Sequence, residues 1–186
     1  MPQPPLFVPE CHIDTALTRA LVVYRRDFDD FINHKHGASH VANEMKRQWE
    51  MFGPERQVIG IVDRDKRLEE IPYLAEFTHL VHGSLAPDAP HSIRRHPVRA
   101  SHHLIVLNPA CDTWVWQAAA AAGIMLPEVH LPADRWEFIA YCKAGNSENQ
   151  PELKALLLAI SRARPAMYAE LADFVARVMD VARPKA

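Results

Sequence analysis

Cysteine is scarce in this chain. Three occur in 186 residues, Cys11, Cys111 and Cys142, scattered and odd in number, which argues against a disulfide framework. No CxxC pair exists to suggest a zinc ribbon. Long hydrophobic runs are missing too: none approaches the roughly 20 residues that span a bilayer. The N-terminus lacks the basic start and extended apolar stretch of a secretory leader. Together these absences predict a cytoplasmic protein that meets no membrane. Charge of one sign is also lacking, since 21 Lys and Arg stand against 23 Asp and Glu for a net charge of -2. Nucleic acid would therefore have to be held by a local patch rather than by the field of the whole molecule. Basic residues do gather at Arg94, Arg95, His96 and Arg99, at Arg25-Arg26 and at Lys46-Arg47, although such runs are ordinarily solvated faces. No internal repeat is visible.

What is present describes one α/β domain. The length suits a single core, with 48% hydrophobic and 24% charged residues. That core is expected over about 5–145, followed by a helical part over about 150–182. Leu6-Phe7-Val8 reads as a first strand. A helix from Asp14 to Tyr24 follows, with Asp14 as its N-cap. Phe28 to His34 is expected as a short strand, and Gly37-Ala38-Ser39 as the turn into a helix carrying Val41, Met45 and Phe52 on one face. Val58 to Val62 is a buried strand, Leu68 to Phe77 a short interrupted helix, and Phe77 to His82 another strand. The proline-rich stretch Gly83 to Arg99 is expected as a long surface loop. Next come a strand at Leu104 to Leu107, an Ala-rich helix closed by Gly123, a weak last strand at Phe138 to Tyr141, and two C-terminal helices. The last of these has an amphipathic stripe that includes Leu171, Phe174 and Val178. Strands alternating with helices predict a compact, mostly parallel sheet with helices on both faces.

The apolar run Val58 to Val62 ends in Asp63-Arg64-Asp65-Lys66, two carboxylates one residue apart where a strand leaves the core. Glu10 follows the first strand in the same way. In an open parallel sheet the C-terminal strand ends share one edge, and ligands bind there, so Glu10, Asp63 and Asp65 are expected to converge. Asp112, just beyond the strand Leu104 to Leu107, joins them or serves as a first-turn acid favoured by the helix dipole. Such oxygen donors suit Mg²⁺ or Mn²⁺. The plainer account of Asp63 to Lys66 is a solvated turn of alternating charge.

At these residues the chain resembles the Toprim domain of topoisomerases, primases and overcoming-lysogenization-defect nucleases. That family is similar in having a glutamate after its first strand and an Asp-x-Asp pair after its third. Glu10 and Asp63-Arg64-Asp65 match these, and Asn108 to Trp114 looks like the later acidic motif of nuclease-like members. The resemblance spans about 5–120. It implies a Toprim-like fold, Mg²⁺ or Mn²⁺ at Glu10, Asp63, Asp65 and Asp112, and metal-assisted hydrolysis or transfer of nucleic-acid phosphodiesters with Glu10, Asp63 and Asp65 as the catalytic set. Arg64, Lys66, His12 and Lys143 are the candidate phosphate partners. Family members carry a glycine directly after the glutamate, where this chain has Cys11. That substitution favours an alternative: a catalytically inactive Toprim-fold module that works with a partner such as an ATPase. A homodimer through the last helix is a further possibility the stripe allows.

Eleven histidines raise a separate idea, a zinc or manganese site around His34, His36 and His40. His34 and His36 would share a face only on an extended segment, and no HExxH is present, so the carboxylate edge is the preferred centre. Trp114 and Trp116 lie on one predicted helix and cannot face the same way, so one is assigned to the core. Cys11 and Cys111 flank candidate acids and read as small buried residues.

Overall fold

A computed structural model describes residues 3–22, 28–64 and 68–181; Asp65, Lys66 and the Arg25-Arg26 pair lie outside these. Among the described residues one open sheet is built from β1 (Leu6–Pro9), β2 (Val58–Asp63), β3 (His79–Gly83), β4 (His91–Arg95) and β5 (His102–Leu107), in the order β1-β2-β5-β4-β3. Around it lie α1 (His12–Leu21), α2 (Ala38–Phe52), α3 (Pro72–Ala75), α4 (Cys111–Ala121), α5 (Arg135–Lys143), α6 (Pro151–Ala163) and α7 (Ala166–Val181).

The central strands explain their own sequences. Val58 and Val62 of β2 point to one layer with Leu6, Val8, Leu104 and Val106, against Val41 and Met45 of α2 and Tyr73 and Leu74 of α3. Ile59 and Ile61 point to the other layer with Phe7, Ile105 and Leu107, against α1, α4, α6 and α7 through Leu17, Trp114, Leu156 and Phe174. A strand buried on both faces reads as a continuous apolar run, and each such side chain contributes about 1.5–3 kcal/mol when fully buried. Trp114 is the core member of the tryptophan pair, while Trp116 is half-buried.

The sheet is mixed rather than mostly parallel. β1 and β5 both run parallel to β2, but β4 is antiparallel to β5 and β3 antiparallel to β4. The cause lies in the connections: residues 84–90 and 96–101 suffice for hairpins, whereas a parallel crossover needs a dozen or more residues. The stretch expected as a surface loop therefore contains β4, whose Ile93 is fully buried. At the other rim, the strand expected over 28–34 is a 3-10 turn, Phe28–Phe31, followed by a single parallel bridge from Ile32 to Phe7. The backbone N–H groups of Asn33 and Lys35 donate to the carbonyls of Phe7 and Pro9, both at 2.9 Å. An extended run thus borders β1 without becoming a full strand.

Two further expectations change. The stretch Phe138 to Tyr141 lies inside α5, whose N-cap Asp134 accepts from the N–H groups of Trp136 and Glu137 at 2.8 and 3.0 Å. Phe138 and Cys142, the buried pair of that helix, follow helical rather than strand spacing. In α1 the N-cap is Cys11, not Asp14; Asp14 sits one turn in, buried, with Oδ2 accepting the Cys11 N–H at 3.1 Å. No helix among the described residues is long and apolar enough to cross a membrane.

Candidate functional site

Because β1, β2 and β5 are parallel, their C-terminal ends deliver Glu10, Asp63 and the start of α4 to one edge. The contacts there are specific. Glu10 accepts the Ala38 N–H on Oε1 and the Asp63 N–H on Oε2, both at 3.1 Å, so its carboxylate clasps the beginning of α2 to the end of β2. Asp63 in turn accepts the Cys111 N–H on Oδ1 at 2.8 Å, which ties β2 to the first turn of α4. Gly37, at φ +99°, makes the entry to α2 possible. Only glycine takes that backbone region readily, and its N–H donates to the Glu10 carbonyl at 3.2 Å.

Two acids at this edge resist ionisation. Burial pushes the Asp63 carboxyl upward, and the neighbouring Asp14, Glu10 and Asp112 carboxylates push it further, against the Cys111 N–H bond. Asp14 is raised by burial, with Glu10 adding to it, while bonds from Cys11 and Cys111 act the other way. Its Oδ1 is buried with no hydrogen-bond partner among the described residues. Like charges in a low-dielectric setting disfavour one another's ionised forms. Asp112 is buried in the first turn of α4, its Oδ1 accepting the Thr113 N–H at 2.5 Å. Beside Glu10 opens a cleft of about 500 Å³ lined by His36, Gly37, Ala38, Ser39, His40, Glu70 and Ile71.

The remaining candidates are placed differently. Asp65 and Lys66 lie outside the described residues. Arg64 follows Asp63, and its guanidinium donates to the Ala86 carbonyl at 3.0 Å. Lys143 ends α5 and is exposed, with no contact to the carboxylates recorded among the described residues. His12 opens α1 and approaches Glu148, its Nδ1 lying 2.7 Å from Oε2. Cys111 is fully buried and Cys11 half-buried; burial first, then the Asp14 charge, holds both thiols far above the ordinary range, so neither is a ready thiolate.

The histidines, set second to the carboxylate edge in the sequence, do come together in the fold. The extended run beside β1 gives His34 and His36 a common face, and the rings of His12, His34 and His36 pack together, with centroids 4.8, 4.7 and 5.9 Å apart. Glu148 completes the group from a 3-10 turn, Ser147–Asn149. Burial, then the neighbouring His12 and His36, lowers the His34 pKa below the usual histidine value. The alternation His34-x-His36 was the available signal; Glu148 gave none. Comparison with family models, with curated proteins and with solved structures finds no match to this chain.

Proposed function

We propose that the chain is a divalent-cation-dependent phosphoryl-transfer protein acting on nucleic acid, a Toprim-like nuclease centred on Glu10 and Asp63. The crowding of Glu10, Asp14, Asp63 and Asp112 at one strand edge carries the reading. Crowded carboxylates are relieved by a cation, and an all-oxygen donor set suits Mg²⁺ or Mn²⁺, which takes one or two protein carboxylates and keeps its waters. Glu10 and Asp63 would hold the ion, with Asp112 close by and Asp65 two positions further along the chain. When bound, such an ion polarises a phosphoryl oxygen and lowers the pKa of its water. The protein's own contribution is orientation. The Ala38 and Asp63 N–H groups fix Glu10, the Cys111 N–H fixes Asp63, and His36, Ser39 and His40 line the cleft in which a phosphodiester would lie.

One observation favours a second reading. Both Glu10 oxygens already accept backbone N–H groups, so Glu10 also serves as a structural clasp, which fits a non-catalytic module acting through a partner such as an ATPase or a second copy of the chain. Leu80 and Val81 on the outer strand β3 are 45% and 36% exposed, which suits such a contact.

Titrating Mn²⁺ by calorimetry into wild type and into a folded Asp63→Ala, Asp65→Ala double variant tests the proposal, followed by a nicking assay on supercoiled DNA. Saturable binding lost in the variant, with cleavage in wild type, is the expected result. Binding without cleavage selects the second reading. Absence of Mn²⁺ binding in the wild type overturns the metal edge.

A further inference from the structure

We propose that His12, His34 and Glu148 form a zinc site, distinct from the carboxylate edge and assembled from three remote parts of the chain. One donor atom from each residue falls in a group whose members all lie within 4.8 Å of one another. His12 Nδ1, His34 Nε2 and Glu148 Oε2 are each buried, and none has a hydrogen-bond partner among the described residues. His12 Nδ1 and Glu148 Oε2 are 2.7 Å apart but are not aligned as a hydrogen bond. A buried polar atom left without a hydrogen bond is unfavourable, and native structures rarely leave such atoms unexplained. A cation shared by α1, the extended run beside β1 and the Ser147–Asn149 turn would give His34 Nε2 the partner it lacks and take in the close His12–Glu148 contact as well.

The donor set chooses the ion. Two imidazoles and one carboxylate are a three-ligand zinc set that leaves a coordination position for water or a bound group, whereas Mg²⁺ prefers oxygen alone. Zinc–donor bonds of about 2.0–2.2 Å put tetrahedral donors roughly 3.3–3.6 Å apart, within side-chain adjustment of the observed spacing. The turn carrying Glu148 is tethered to α1 by Arg19, which donates to Asn149 Oδ1 at 3.1 Å. His36 contacts both His12 and His34 and also lines the cleft beside Glu10. A zinc ion here would therefore adjoin the proposed phosphodiester cleft without sharing a ligand with the carboxylates.

The test strips the protein with chelator and titrates Zn²⁺ against a chromophoric competitor, with Co²⁺ as a spectroscopic probe of tetrahedral nitrogen and oxygen ligation. Wild type is compared with His34→Ala, Glu148→Gln and Asp63→Ala, each verified by circular dichroism. The expected result is one Zn²⁺ per wild-type chain, affinity weakened by about tenfold or more in the first two variants, and no change in Asp63→Ala. His34 and Glu148 are only partly buried, and because they lie on different segments, loss of fold in one variant leaves the other to decide. A wild type that takes up no Zn²⁺, or binding unaltered by both ligand variants, overturns the site. Zinc binding lost with Asp63→Ala overturns its independence from the carboxylate edge. Failure of the Mn²⁺ titration leaves the zinc result untouched, and the reverse holds.

Discussion

Asp63 pairs a well-made hydrogen bond with an unfavourable electrostatic setting, and the two respond differently to substitution. Asn at this position keeps an oxygen acceptor for the Cys111 N–H while removing the charge that crowds Asp14, Glu10 and Asp112. Because the folded state holds the Asp63 proton more tightly than the unfolded chain, its contribution to stability is fully present below the unfolded carboxyl pKa, near 3.9, and is lost as pH rises through the elevated folded value. Asp63→Asn is therefore expected to raise Tm at pH 8 by about 2–4 °C, corresponding to roughly 1 kcal/mol for a chain of this size. The gain should shrink towards pH 4, while Mn²⁺ binding weakens. Scanning calorimetry at pH 8, 6 and 4.5 checks this; a variant less stable than wild type at pH 8 would show that crowding is not what the residue costs the fold. Such residues, destabilising yet present, are typical of functional positions. The legibility of single residues was uneven. The placement of Glu10 and Asp63 followed from strand ends that terminate in acids. The burial of Asp14 did not, because Cys11 rather than Asp14 takes the N-cap.

At the scale of elements, α2 lies on β2 through the gap left by Gly60. A Cβ there would sit 2.6 Å from Met45 Sδ, 3.0 Å from Leu104 Cδ1 and 3.1 Å from Val41 Cγ1. Methionine can yield, but Leu104 and Val41 are fully buried. Gly60→Ala is expected to cost about 1–3 kcal/mol by overpacking, and Met45→Ala in the same chain should recover part of it. Chemical denaturation of the two single variants and the double variant measures that coupling; strictly additive effects would mean that Met45 is not the obstacle. Long, strongly patterned elements such as β2, α2 and α4 were readable from sequence because their apolar spacing has one interpretation. Short ones were not. Phe138 to Tyr141 fits either period until Asp134 is seen to cap it, and β4 hides in a proline-rich stretch whose composition reads as loop until its pairing with β3 and β5 is seen.

Across the molecule, a set of buried histidines contributes to the response to acid. Burial lowers the pKa of His102 to about 3, with Arg99, His96 and His103 adding to it, and that of His103 to about 4, with Arg95 adding. His34, His91 and His96 are also lowered, with burial first in each case. Unfolded histidines take a proton near 6.5, so below that pH the unfolded chain binds protons that the folded chain refuses. The histidine contribution to stability is full above pH 6.5 and is lost as pH falls towards 3–4. The two raised aspartates act in the opposite sense, so the histidine part is read by difference: His103→Gln is expected to lose less Tm between pH 7 and pH 4.5 than the wild type does. An equal change in Tm for the two proteins would mean that the buried His103 accepts its proton without cost. The same scale explains what could not be read beforehand: His12, His34 and Glu148 are remote in sequence, and only the run beside β1 and the turn before α6 bring them together.

The chain order of the sheet has a kinetic corollary. β3, β4 and β5 form a meander of neighbours, paired across short connections, whereas β1 reaches β2, and β2 reaches β5, only across long intervening stretches. Closing a short loop costs less chain entropy than closing a long one, and local pairings speed folding where distant ones slow it. The β3-β4-β5 meander closes the shorter loops, and the β1–β2 pairing closes the longest one in the sheet, from Pro9 to Val58. Glu10 meets Asp63 only across that β1–β2 pairing, so the carboxylate edge draws on the contact whose loop closure costs the most chain entropy.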